Sequence, residues 1–136
     1  MIIMNKKHYN VVCALIFKDE DIFCVQRPNK GEVGLKWEFP GGKIEKNETK
    51  KEALIREIYE ELNCKIKVIK YLDKVYHQYN TFNITLYAYK CSMIDYKFEL
   101  NEHIDYCWTN LHNLKNLDLA KADVKLISKL NKVYNA

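Results

Sequence analysis

A chain of 136 residues, 48% hydrophobic and 29% charged, is long enough for one domain (1–136) with a real core, too short for two ordinary ones, and too apolar for a disordered segment. The formal charge of +4 comes from lysines scattered along the chain, without a basic block, so no nucleic-acid partner is expected. The longest apolar run, "VVCALIF" from Val11 to Phe17, falls far short of the roughly 20 residues of a membrane span, and "MIIMNKKHYN" lacks a signal-peptide layout; both set the expectation of a cytoplasmic protein with no membrane partner. The five cysteines are odd in number and never form a CxxC pair, and the four histidines show no HExxH spacing. Any metal here is expected to be oxygen-bound.

In chain order, "YNVVCALIFKD" and "DIFCVQRP" are two β-rich runs around the charged turn Lys18 to Asp21, the pattern of a hairpin. The first run is apolar almost throughout, which predicts burial on both faces. "NKGEVGLK" reads as a loop and "WEFPGGK" as a short strand stopped by Pro40 and the Gly41-Gly42 pair. A helix follows. Asn47 or Thr49 can cap it, Leu54, Ile55, Ile58 and Leu62 recur at helical spacing, and Asn63 is a suitable left-handed end. "CKIKVIKYLDKVYHQY" and "FNITLYAYKCSMI" are strands joined at Asn80 and Thr81, and "HIDYCWTNL" adds one more. "LAKADVKLISKLNKVY" repeats Ala122, Val124, Ile127, Leu130 and Val133 at helical spacing and is a terminal helix. The order predicts an α/β protein, a mixed sheet with helices on its faces.

The heptapeptide "REIYEEL" raises a separate question. On a helix, Glu57 and Glu61 are one turn apart and Glu60 lies beside both, so three carboxylates cluster about a third of a turn from the apolar stripe. Such repulsion fits a solvated acidic face offset by Lys50, Lys51 and Arg56. The sharper reading is a site for hard divalent cations, which take oxygen ligands. The heptapeptide alone leaves both open.

The wider stretch narrows them. Gly42, five residues, Glu48, seven residues, then Arg56-Glu57-Ile58-x-Glu60-Glu61-x-Asn63-Cys64 resembles the signature of the Nudix hydrolases, G-x5-E-x7-R-E-U-x-E-E-x-G-U. Asn63 and Cys64 depart from it, both at the helix exit. "WEFPGGKIE", Gln26-Arg27, "NITLYAY", "NEHIDYCW" and "LAKAD" also look like the MutT-type nucleoside triphosphate pyrophosphohydrolases of that family. The resemblance implies a Nudix fold, a mixed β-sheet sandwiched between helices (α/β/α). It implies Mg2+, with Mn2+ as a substitute, held by the Gly41 carbonyl, Glu57, Glu60, Glu61 and Glu102, with Arg56 orienting the glutamates. Either Glu57 or Glu102 is the general base. Arg27 and Lys43 are implied for the phosphate chain, and Phe39, Tyr79, Phe82 and Asp123 for the base. An ionised Asp123 only accepts hydrogen bonds, whereas a protonated one also donates.

The implied activity is hydrolysis of a (deoxy)nucleoside triphosphate, expectedly 8-oxo-dGTP in nucleotide-pool sanitising and DNA repair, to monophosphate and pyrophosphate. The alternatives are a CTP or 5-methyl-dCTP pyrophosphohydrolase and a non-catalytic nucleotide sensor of the same fold. The expected partner is the small nucleotide alone, on a monomer or homodimer.

Overall fold

Strand β1 (Lys7–Lys18) runs through the middle of the sheet, and its composition explains the position. Val12, Ala14 and Ile16 enter one hydrophobic cluster while Cys13 and Leu15 enter a second on the opposite face, so every residue from Val12 to Ile16 is buried. An unbroken apolar run suits a strand covered on both sides. The computed structural model describes residues 6–134. Residues 1–5, on which part of the signal-peptide reading rests, and the side chain of Val133 lie outside the described residues.

β1 turns through Asp19, which takes a positive φ of 55°, into β2 (Asp21–Gln26), its antiparallel partner. β2 also pairs with β3 (Trp37–Glu38) and with β7 (Asp105–Thr109). On its other edge β1 pairs in parallel with β6 (Phe82–Met93), from Lys7 opposite Phe82 to Ile16 opposite Cys91. β6 is the antiparallel partner of β5 (Ile66–Gln78), the two meeting at the expected turn of Asn80 and Thr81.

One element differs from the sequence expectation. The glycine pair does not simply stop a strand: Gly41–Lys43 forms β4, antiparallel to Val11–Cys13 of β1. A Cβ on Gly41 would collide with the Val12 carbonyl, so the pairing requires glycine there. Two glycines read locally as a break, but a close backbone approach needs them as well.

Helix α1 (Lys50–Leu62) begins at Thr49, whose hydroxyl accepts from the Glu52 N–H while the Glu52 carboxylate accepts from the Thr49 N–H. Asn47 lies in the preceding turn at φ 66° and is not the cap. The helix ends at Asn63 in the left-handed region, φ 50° and ψ 37°. Ala53, Leu54, Ile58 and Leu62 are buried in the cluster on one face of the sheet, while Ile55 is 45% exposed and stands outside the stripe. Helix α2 (Lys121–Tyr134) covers the opposite face through Ala122, Leu126, Ile127 and Leu130, with Val124 exposed. The result is the mixed sheet between two helices. Among the described residues no helix is long and apolar enough to cross a membrane, and the five cysteines are free.

Candidate active site

The segment from β4 into α1 brings the acidic residues together. Arg56 is their hub: its Nη2 donates to Glu48 Oε1 at 2.6 Å and to the Lys43 carbonyl at 3.0 Å, its Nε to Glu48 Oε2 at 3.0 Å. Its Nη1 donates to Glu57 Oε1 at 2.9 Å and Glu60 Oε2 at 3.2 Å. One guanidinium thus fixes three carboxylates and a backbone carbonyl, a geometry its planar fork of donors suits. The pairing with Glu48 raises the Arg56 pKa and lowers that of Glu48.

The three helix acids do not share one solvated face. The Glu60 side chain is 51% exposed, that of Glu57 16% and that of Glu61 only 4%. Glu61 follows Leu54 by two helical turns and so falls on the buried stripe of Leu54, Ile58 and Leu62, a spacing visible in the sequence. Burial pushes the Glu61 pKa well above the carboxylate range, helped by the charges of Glu38, Glu102 and Glu57 and opposed by the Gly41 N–H, which donates to it. Glu57 is also raised by burial, against the pull of Arg56. A Cβ on Gly42 would collide with the Glu57 carboxylate, so the second glycine leaves room for that side chain.

Among the described residues, no three His, Cys, Asp or Glu side chains form a ready-made metal cage. Oxygens of Glu48, Glu57 and Glu60 face Arg56, while Glu61 turns inward. The donor chemistry nevertheless fits a hard divalent cation: all candidates are carboxylate or carbonyl oxygens, and Glu61 Oε2 is buried with no hydrogen-bond partner. Glu102 is exposed on the loop before β7, near enough for its charge to act on Glu57 and Glu61.

Beside the acids lies a cleft of about 400 Å³. Arg27, Phe39, Gly41, Lys43, Tyr79, Phe82 and Asp123 all line it, so the residues expected to hold phosphates and base meet in one space. Arg27 Nη1 pairs with Glu38 at 3.3 Å, and Lys43 Nζ stands 4.0 Å from the centre of the Tyr9 ring. The Tyr79 hydroxyl accepts from the Ala122 N–H at 3.0 Å, and burial pushes its pKa up to about 12. Its ring lies 4.8 Å from that of Phe82, centre to centre. Asp123 is buried, and its Oδ1 accepts from the Phe39 N–H at 3.1 Å. Burial first, then the nearby charge of Glu38, raises its pKa well above the usual range. A neutral Asp123 carries both an acceptor and a donor.

Three polar residues of the site had no expected role. Glu48 was visible as a signature position, and it is the shortest partner of Arg56. Glu38 and His103 lie within the segments "WEFPGGKIE" and "NEHIDYCW", with no spacing that singles them out, yet His103 Nε2 lies 3.0 Å from Glu38 Oε2.

A NUDIX domain model matches residues 11–129. The chain belongs to the Nudix family. Enzymes of this family generally need a divalent metal ion. This Nudix chain is 38% identical over 105 residues to the 8-oxo-dGTP diphosphatase of Proteus vulgaris, covering 76% of itself and 92% of that protein. It is 31% identical over 121 residues to the CTP pyrophosphohydrolase of Escherichia coli (strain K12), covering 89% and 90%. Among solved structures, the DNA mismatch repair protein MutT (family Nudix hydrolase) of methicillin-resistant Staphylococcus aureus 252 superposes with a TM-score of 0.73 at 43% identity, over 92% of this chain and 96% of that one. The MutT protein from Methanosarcina mazei Go1 reaches a TM-score of 0.87 at 20% identity, over 98% and 100%, a likeness of fold.

Proposed function

We propose that this Nudix chain hydrolyses a (deoxy)nucleoside triphosphate to the monophosphate and pyrophosphate with Mg2+, for which Mn2+ substitutes, and that 8-oxo-dGTP is the substrate. The observation that carries this is the Arg56 web, which holds Glu48, Glu57 and Glu60 next to Gly42 and Lys43 of a cleft that the buried Asp123 also lines. The relationship to the Proteus vulgaris enzyme supports the choice of base.

In this scheme the oxygens of Gly41, Glu57, Glu60, Glu61 and Glu102 would hold the divalent cation, which when bound offsets phosphate charge and acidifies a water. Arg56 keeps the glutamates in place through its hydrogen bonds. Arg27 and Lys43 receive the phosphate chain, Arg27 by its fork and Lys43 as a point charge. A water oxygen bonds to a phosphorus of the chain, a bridging P–O bond breaks, and the water proton passes to Glu57 or Glu102. Phe39, Tyr79 and Phe82 enclose the base, and a neutral Asp123 meets its edge with one donor and one acceptor.

The same donor–acceptor pair complements N3 and the N4 amine of cytosine, and a CTP pyrophosphohydrolase is among the relatives, so CTP or 5-methyl-dCTP is the second reading. Initial rates with Mg2+ and product identification for 8-oxo-dGTP, dGTP, CTP and 5-methyl-dCTP decide between them. A kcat/KM for 8-oxo-dGTP above that for dGTP by about 10²-fold or more supports the first. Preference for the cytosines replaces it with the second, and turnover of none points to the sensor.

A further inference from the structure

His103 takes no part in the chemistry proposed for the cleft, yet its side chain is only 4% exposed and wedged between two carboxylates. Nε2 lies 3.0 Å from Glu38 Oε2, a hydrogen bond in which the ring N–H donates. Nδ1 lies 3.7 Å from Glu61 Oε2. Both of these facing atoms are buried and have no hydrogen-bond partner. Glu38 in turn accepts from Arg27, so a line of polar groups runs Arg27, Glu38, His103, Glu61 from the cleft wall to the acidic helix. The backbone around His103 is clamped on both sides. The Asn101 N–H donates to the Glu61 carbonyl and its side-chain amide to the Glu60 carbonyl, each at 2.9 Å, while the Ile104 N–H donates to the Gln26 carbonyl at 3.0 Å. Glu102 lies within this clamp.

We propose that His103 is a positioning residue: from the loop that carries Glu102, it sets the direction of the Glu61 and Glu38 carboxylates. This rests on the nucleotide-hydrolase reading, in which Glu61 and Glu102 serve a divalent cation. A buried polar atom that faces another with neither satisfied is out of place in ordinary packing. Here the two atoms lie at the junction between the loop of Asn101 to Ile104 and the helix that carries the acids.

The test compares His103→Leu, His103→Asn and His103→Gln with the wild type. The asparagine amide falls near Nδ1 and keeps a polar group toward Glu61; the glutamine amide falls near Nε2 and keeps the donor to Glu38. Mn2+ affinity is read by electron paramagnetic resonance without nucleotide, and kcat and KM at saturating Mg2+ with the triphosphate that the wild type turns over. His103→Leu is expected to lose about 10- to 100-fold in Mn2+ affinity and kcat with KM little changed, as for other residues that orient ligands. His103→Asn recovers Mn2+ affinity and His103→Gln does not. Unchanged affinity and kcat in His103→Leu overturn the proposal. Should that variant not fold, equal affinities of His103→Asn and His103→Gln overturn it instead. A wild type that binds Mn2+ but turns over no nucleotide removes the substrate reading and leaves this comparison standing, whereas one that binds no Mn2+ overturns the positioning role too.

Discussion

Helices α1 and α2 cover opposite faces of one sheet, and the acids gathered around Arg56 on the first sit unlike Asp123 on the second, which shares its burial with Glu61 of α1. On α1, Glu57 and Glu60, with Glu48 just ahead of the helix, surround a single guanidinium and stay partly in contact with solvent. On α2, Asp123 is buried, and its Oδ1 is held by a backbone N–H of Phe39. The first arrangement meets acids with donors, which lowers the Glu48 pKa; the second raises an acid's pKa through the cost of burying charge. In the proposed scheme the same chemical group handles phosphate charge around Arg56 and reads a hydrogen-bond pattern at Asp123.

The contrast can be broken at either end. The largest effect is expected from Glu60→Gln, which removes one charge from the cluster: kcat falls by about 10³-fold while the fold persists, since a bound metal contributes several kcal/mol of transition-state stabilisation. Steady-state rates with circular dichroism check this, and a fully active variant would refute the assignment of Glu60. Gly42→Ala comes next. Its methyl group must displace the Glu57 carboxylate, so kcat is expected to drop by about 10- to 100-fold; retained activity would show that Glu57 has room to move without consequence.

Asp123→Asn probes the other helix. Because the folded-state pKa of Asp123 is raised above the unfolded value, the folded protein retains a proton that the unfolded chain has released. Stability therefore falls as pH rises from the ordinary Asp range toward the folded-state pKa. The asparagine variant lacks that slope, so its thermal midpoint should exceed the wild type by more at pH 8 than at pH 5. A gap that does not change with pH would mean that Asp123 is charged in the fold. Asp123→Ala should alter the ranking of nucleotide bases more than the rate of phosphate chemistry, and an unaltered ranking in the four-substrate assay removes Asp123 from the base pocket. The smallest effect is at the start of α1, where Thr49→Ala deletes half of the capping box and costs about 1 kcal/mol in denaturant unfolding.

What was legible in the sequence was local. The acid spacing, the Thr49 and Asn63 ends of α1, the turns at Asp19 and at Asn80-Thr81 and the unbroken apolar run of β1 each depend on neighbours a few positions away. The burial of Glu61 was readable from its distance to Leu54, but its charge argued for solvent, and only the loop of Asn101 to Ile104 folded over it decides the matter. Ile55 and Val124 fit the helical period yet stay exposed, because each helix meets the sheet along a stripe narrower than its apolar positions. β4 could not be seen as a strand: its partner is the far-off Val11–Cys13, and pairing between distant segments leaves no periodic trace in either. Likewise, only the fold puts Tyr79 of the β5–β6 hairpin against the Ala122 N–H of α2. Arg27, Phe39, Lys43, Tyr79, Phe82 and Asp123 were gathered by resemblance rather than by spacing, and the cleft they share is a product of sheet order.

The parallel pairing of β1 with β6 bears on how the molecule comes into being. Lys7 waits for Phe82, and Ile16 for Cys91, so the central strand lacks one neighbour until more than half of the chain has left the ribosome. Contacts so far apart in sequence close late and slowly. During that interval β1 is covered along one edge only, by its early pairings with β2 and β4. Nascent chains truncated before residue 82 should then be the ones that chaperones hold, and those extended past residue 93 the ones that they release.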